Sequence, residues 1–251
     1  MASSAESLNA STARIPKGVA PLRVGERNSF VLRRLHSLTG IIPIGAFLVE
    51  HFISNSEATK GIQAYNEQVR FLTGLPFVQV LEWAFIFLPI LYHALYGFYI
   101  WYRGQTNVSD YPWTGNWFYT SQRWTGLVAF VYIVYHTYFM RFTGVHLMNG
   151  GYNNGFWKVW NEFQNPWAVA AYTIGIIAAS WHFSYGLWLF AAKWGITVGA
   201  RARKNFGYLC TGLAVVLIAI GLWTIRAFLS TPSDQVPRPE AGQNYESTMM
   251  R

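Results

Sequence analysis

Cysteine is all but missing from this sequence, in which Cys210 stands alone. A single thiol excludes an intrachain disulfide, a multi-cysteine metal site and a CxxCH haem attachment. Any redox cofactor must therefore be held by other ligands. Charge is scarce too: 12% of the 251 residues are charged, against 52% hydrophobic and 18% aromatic. A soluble domain carries about a quarter charged residues. The charges that exist cluster between apolar runs of about 20 residues, the length that crosses a hydrocarbon core of about 30 Å. No apolar stretch opens the chain, so no cleavable signal peptide is expected. The net charge of +8 would suit nucleic acid or a membrane surface, and because the basic residues flank the apolar runs, lipid is favoured.

Five transmembrane helices are expected, over residues 31–52, 76–102, 119–141, 166–194 and 203–228, with turn-rich stretches between them. The pattern predicts an all-α integral membrane protein with three parts. Residues 1–28 form a polar cytoplasmic segment, 29–230 the membrane domain and 231–251 a polar tail. Lysine and arginine are retained on the cytoplasmic side. One side holds twelve: Arg14, Lys17, Arg23, Arg27, Arg33, Arg34, Arg103, Arg123, Lys193, Arg201, Arg203 and Lys204. The other holds seven: Lys60, Arg70, Arg141, Lys158, Arg226, Arg238 and Arg251. The N-terminus is thus expected in the cytoplasm and the C-terminus outside.

Six histidines are present, and all but His146 fall in or at the edge of a span. Ionisable residues there are rare and usually functional, although a lone histidine hydrogen-bonded to a neighbouring helix is common in membrane bundles. Their arrangement is duplicated. His93-Ala94-Leu95-Tyr96-Gly97 and His182-Phe183-Ser184-Tyr185-Gly186 repeat one H-x-x-Y-G motif, and Gly four residues after His shares its helix face. The missing side chain is expected to leave room for a flat macrocycle. Thr39-Gly40 precedes His51 much as Thr125-Gly126 precedes His136. Two hairpins of one design, offset by 85 and 89 residues, imply a pseudo-symmetric four-helix bundle.

Depth pairs the histidines. His93 and His182 lie ten and eleven residues before Arg103 and Lys193, each about 15 Å from the inner boundary. His51 and His136 lie near the outer ends of the first and third spans. Each pair joins one hairpin to the other, as the two axial ligands of a six-coordinate haem b do. Six-coordination leaves no open iron site, so electron transfer is expected rather than oxygen chemistry. His36, Ser37, Arg34, Arg123 and Lys193 gather at the inner boundary, where haem propionates or a docked subunit need cations and donors. Plain positive-inside anchoring explains the cations equally well. His146 reads as a solvated loop residue.

Arg33-Arg34-Leu35-His36-Ser37-Leu38, Val49-Glu50-His51, Leu91-Tyr92-His93-Ala94-Leu95-Tyr96-Gly97, Gln122-Arg123-Trp124-Thr125-Gly126 and Trp181-His182-Phe183 resemble the single-chain, di-haem cytochrome b subunit of succinate dehydrogenase and fumarate reductase. The resemblance runs in order over residues 28–229. It implies five helices, a proximal haem on His93 and His182, and a distal haem on His51 and His136. It also implies a flavoprotein subunit with covalent FAD and an iron–sulfur subunit on the cytoplasmic face, and a quinone, often menaquinone, as electron acceptor. Where some members carry a glutamate two residues before the fourth-span histidine, linked to transmembrane proton transfer, this sequence has Ser180. Glu82 in the second span and Glu67 in the first outer loop are the carboxylates expected to exchange quinone protons, while Glu50 is expected to snorkel outward. Two other readings stand beside this one: the cytochrome b anchor of a hydrogenase or formate dehydrogenase, and a haem-free membrane protein.

Overall fold

The computed structural model describes residues 24–104, 108–144, 147 and 154–239, and every regular element among them is helical. The first span is two helices, α1 (Val24–Ile41) and α2 (Pro43–Ser56). Pro43 offers no amide hydrogen and its ring crowds the preceding turn, so the helix breaks at Ile42. A short turn ends at Gly61, whose φ of 113° disfavours any side chain.

The chain then forms α3 (Ile62–Thr73), a helix absent from the sequence-based expectation of a loop. It buries Tyr65 and Asn66 and leaves Gln63, Glu67 and Arg70 exposed. The second span combines α4 (Val78–Glu82), a π-helical turn over Trp83–Phe87, and α5 (Leu88–Arg103). Pro89, which lacks an amide hydrogen, stands two residues after the wider turn. Next come α6 (Thr114–Thr137), closed by a second π turn over Tyr138–Phe142, and the short helix α7 (Asn154–Glu162). The last long helices are α8 (Pro166–Lys193) and α9 (Ala200–Leu229). Asn165 caps α8, its side chain accepting the Trp167 amide at 3.0 Å.

Among the described residues, four helical stretches are long and apolar enough to cross a membrane: Ser29–Lys60, Val78–Arg103, Pro166–Lys193 and Ala200–Leu229. At 24 residues α6 is about 36 Å long, enough to cross, but Gln122, Arg123 and its many aromatic residues make it less apolar than these. It packs along α8, which also packs on α9; α1 lies against α5 and α8, and α2 against α9. Large side chains such as Leu91, Leu95, Val131 and Val216 stay exposed, as lipid-facing residues do. The buried apolar cluster lies at the end that the charge pattern predicts to be the outer one, where Tyr65, Phe156, Phe163, Tyr172 and Phe228 join α3, α7, α8 and α9.

Candidate functional site

His93 on α5 and His182 on α8 face each other with ring centroids 6.2 Å apart and planes perpendicular. Each ring is held by the backbone of the helix across its own hairpin. His93 Nδ1 lies 2.9 Å from the His36 carbonyl, and His182 Nδ1 lies 3.0 Å from the Gln122 carbonyl. A carbonyl oxygen only accepts, so Nδ1 carries the proton and Nε2 keeps its lone pair. Gly40 and Gly126 make room for these rings: a Cβ at Gly40 would stand 2.5 Å from His93 Cε1, and one at Gly126 2.7 Å from His182 Cε1.

Carbonyl and glycine are four residues apart in both cases, so they recur one turn apart on α1 and α6. The threonines share the register, with Thr39 donating to the Leu35 and His36 carbonyls and Thr125 to those of Ser121 and Gln122. The Thr-Gly pairs thus serve the inner histidines, not the outer ones used to align them. The glycines of the H-x-x-Y-G motif lie against side chains of the helix across the hairpin. A Cβ at Gly97 would meet His36 at 3.3 Å, and one at Gly186 would meet the Gln122 side chain at 3.3 Å. His36 itself stacks on His93, with centroids 4.0 Å apart and planes 12° apart.

His51 on α2 and His136 on α6 form the second pair, with centroids 5.6 Å apart. His136 Nδ1 is 3.0 Å from the Tyr172 hydroxyl of α8, a partner no sequence pattern marked. His51 lies eleven residues beyond Gly40, and His136 ten beyond Gly126, which sets the two pairs about 15 Å apart along the helices.

The residues suit a haem in three respects. Among the described residues no group of three or more His, Cys, Asp or Glu is placed to hold a metal ion, so a metal here would rest on the two imidazoles of a pair. A metal–imidazole bond is about 2 Å, so two rings on one ion have centroids about 6 Å apart, close to both separations found. The inner end also holds buried polar atoms without a partner among the described residues: Arg34 Nε, His36 Nδ1, Tyr96 Oη, Gln122 Oε1, and Arg123 Nε and Nη1. Buried polar atoms are normally paired, and two guanidinium groups among them call for an anion, which haem propionates would supply.

Other expected inner contacts are already engaged. Ser37 donates to the Arg34 carbonyl at 2.8 Å and accepts from Trp194 Nε1 at 3.2 Å. Lys193 Nζ donates to the Arg33 carbonyl at 3.2 Å. Arg34 lies over the Trp194 ring, and Arg123 over Trp101 and Tyr119 while donating to the Trp101 and Gly104 carbonyls.

Towards the outer end, Glu82 pairs with Arg141 at 2.9 Å, both about a fifth exposed. Glu67 is exposed on α3 and accepts from Gln63 at 2.9 Å. Glu50 does more than snorkel: it accepts from the buried Ser54 hydroxyl, which accepts from Gln68 at 3.0 Å. Glu162 of α7, missed from sequence because it lies in what read as a loop, accepts from the Tyr135 hydroxyl. Lys158, also on α7, donates to the Thr143 carbonyl at 2.7 Å; burial and the nearby Arg141 lower its pKa to about 8. Ser180 is fully buried. His146 lies outside the described residues.

Long apolar helices with histidines paired at two levels inside them define the class, a helical membrane protein built around imidazole pairs. Residues 106–221 match the family of succinate dehydrogenase/fumarate reductase transmembrane subunits. The chain is also 37% identical over 200 residues to the succinate dehydrogenase cytochrome b558 subunit of Bacillus subtilis (strain 168), covering 80% of this chain and 97% of that one. It belongs to this family, and its role is that of the membrane-anchor cytochrome b subunit of succinate dehydrogenase.

Proposed function

We propose that the chain binds two b haems and conducts electrons from an iron–sulfur subunit to a membrane quinone, anchoring a succinate:quinone oxidoreductase. The observation that carries this reading is the pair of imidazole pairs, 6.2 Å and 5.6 Å between centroids, on facing helices at two depths. In this reading His93 and His182 hold the inner haem and His51 and His136 the outer one. A haem b with two imidazole ligands supplies a reversible one-electron iron couple without an open coordination site. The His36 and Gln122 carbonyls fix the inner rings and leave Nε2 unprotonated, so that it would be available to a metal, as outer-shell acceptors do for metal-bound histidine. Arg34 and Arg123 would neutralise the inner propionates and His36 would offer them a hydrogen bond, while Ser37 and Lys193 brace the surrounding helix ends.

The chain crosses the membrane five times, α6 being the third span, with its N-terminus in the cytoplasm. The FAD-containing and iron–sulfur subunits dock at the basic inner end, where succinate is oxidised. Quinone, menaquinone by the family resemblance, reacts at the outer end, and its two protons are exchanged through Glu82 and Glu67. Arg141 holds the Glu82 carboxylate in place at 2.9 Å. A pyridine haemochrome assay on the intact complex tests the reading: two b haems per chain are expected, His93→Ala or His182→Ala removing one and His51→Ala or His136→Ala the other. One haem or none in the unaltered complex would overturn it.

A further inference from the structure

A partly open groove separate from the histidine pairs lies between α6, α8 and α9 and has a volume of about 220 Å³. Phe118, Tyr185, Trp188 and Tyr208 wall it, and Arg203 and Lys204 stand at its mouth, in the first turn of α9. Trp188 Nε1 donates to the Arg203 carbonyl at 2.8 Å, tying α8 to α9 there. The Lys204 ammonium lies 5.9 Å from the Tyr208 ring centroid, over the groove wall. The groove follows α9 from Arg203 to Ala214, eleven residues or about 16 Å, the hydrocarbon depth of one leaflet. On its floor Ser184 is 2% exposed, and its hydroxyl has no partner among the described residues.

Charge at the mouth is one-sided. No acidic residue occurs between Glu162 and Asp234, so Arg203 and Lys204 have no carboxylate on their own or the neighbouring helix. Two cations above an aromatic, apolar slot one leaflet deep match an amphiphile with an anionic head and acyl chains. We propose that this groove holds an anionic phospholipid of the inner leaflet, its phosphate on Arg203 and Lys204 and a chain along Tyr185, Trp188 and Tyr208. The leaflet, though not the groove, rests on the orientation proposed above. The lipid seals the seam between α9 and the histidine-bearing helices on the side where the partner subunits dock.

The test is lipid retention by the whole complex, purified in mild detergent from membranes containing phosphatidylglycerol and phosphatidylethanolamine and read by native mass spectrometry. The complex is expected to keep about one phosphatidylglycerol. Each juxtamembrane cation is worth about fivefold in lipid affinity, so Arg203→Gln with Lys204→Gln is expected to lower retention by about 25-fold. Thr211→Phe, which fills the slot and keeps both cations, is expected to abolish it. Haem content and dye-linked succinate oxidation should not change in either variant. Phosphatidylglycerol retained equally by the double variant, or a quinone found in place of lipid, would overturn the proposal. The orientation is read separately, by labelling Lys204→Cys in a Cys210→Ala background with a membrane-impermeant maleimide. Labelling only from the cytoplasmic side is expected, and labelling from the outside would overturn the inner-leaflet assignment.

Discussion

Gly126→Ala is the smallest change that tests how the inner histidines are seated. The added Cβ would stand 2.7 Å from His182 Cε1 and 3.0 Å from Nδ1, where ordinary contact begins at 3.4 Å. The imidazole must therefore move by roughly 0.7 Å, and the move also stretches its 3.0 Å hydrogen bond to the Gln122 carbonyl. A ring fixed by both contacts cannot hold its place, and loss of such an outer-shell interaction costs about 10–100-fold in metal affinity. Alanine is otherwise favoured over glycine in a helix interior by about 1 kcal/mol, so the helix itself is not weakened. Gly40→Ala should behave alike, because its Cβ would meet His93 Cε1 at 2.5 Å. Gly212→Ala on α9 meets nothing within 4 Å and is the control. Redox-difference spectra and haemochrome assays on the three purified complexes are expected to show one haem lost or weakened in Gly126→Ala and Gly40→Ala, the outer one intact, and both kept in Gly212→Ala. Two unaltered haems in Gly126→Ala would refute the seating argument.

Tyr172→Phe removes the hydroxyl 3.0 Å from His136 Nδ1, and is expected to shift the midpoint potential of the outer haem while leaving the inner one in place, as read by redox titration. Glu82→Gln leaves Arg141 without its partner carboxylate; quinone reduction should fall at least tenfold, with haem content and dye-linked succinate oxidation kept, and full quinone reductase activity in both Glu82→Gln and Glu67→Gln would place the proton exchange elsewhere. Lys158 has a folded pKa of about 8, lowered from 10.5, so between those values the unfolded chain binds the extra proton and stability rises with pH. Thermal unfolding of the complex should show that rise, and Lys158→Gln should flatten it.

The long helices and the pairing of four histidines were legible because both depend on spacing. An apolar run of set length and two copies of H-x-x-Y-G survive as patterns whatever the side-chain packing. The register of Thr39-Gly40 and Thr125-Gly126 was legible too, but its purpose was not. The groups that hold His93 and His182 are the backbone carbonyls of residues 36 and 122, and a carbonyl has no residue identity to recognise. One of those positions is histidine and the other glutamine, so the two halves look unlike at the point where their geometry is most alike. Short elements were missed for another reason. In α3 the buried face is Tyr65 and Asn66, an apolar and a polar residue, and twelve residues of mixed polarity between turn signals read as a loop. Contacts such as Tyr135 with Glu162 or Glu82 with Arg141, 27 and 59 residues apart, depend on how the helices meet.

The duplication also bears on how the two inner histidines differ. Within each hairpin a glycine, a carbonyl and a threonine recur at one spacing, so the two rings have matching seats and their Nε2 atoms stay free. What departs from the symmetry is one side chain: His36 stacks on His93 at 4.0 Å, whereas its counterpart Gln122 donates to the His182 carbonyl at 3.0 Å. A flat aromatic ring against one ligand and an amide beside the other give the two imidazoles different surroundings on equivalent scaffolds. His36→Gln places the same residue type in both halves and keeps the backbone carbonyl that His93 uses. It should therefore retain the inner haem, which His93→Ala would not, while changing its potential. Loss of the haem in His36→Gln would mean that the stacked ring, and not the carbonyl, seats His93.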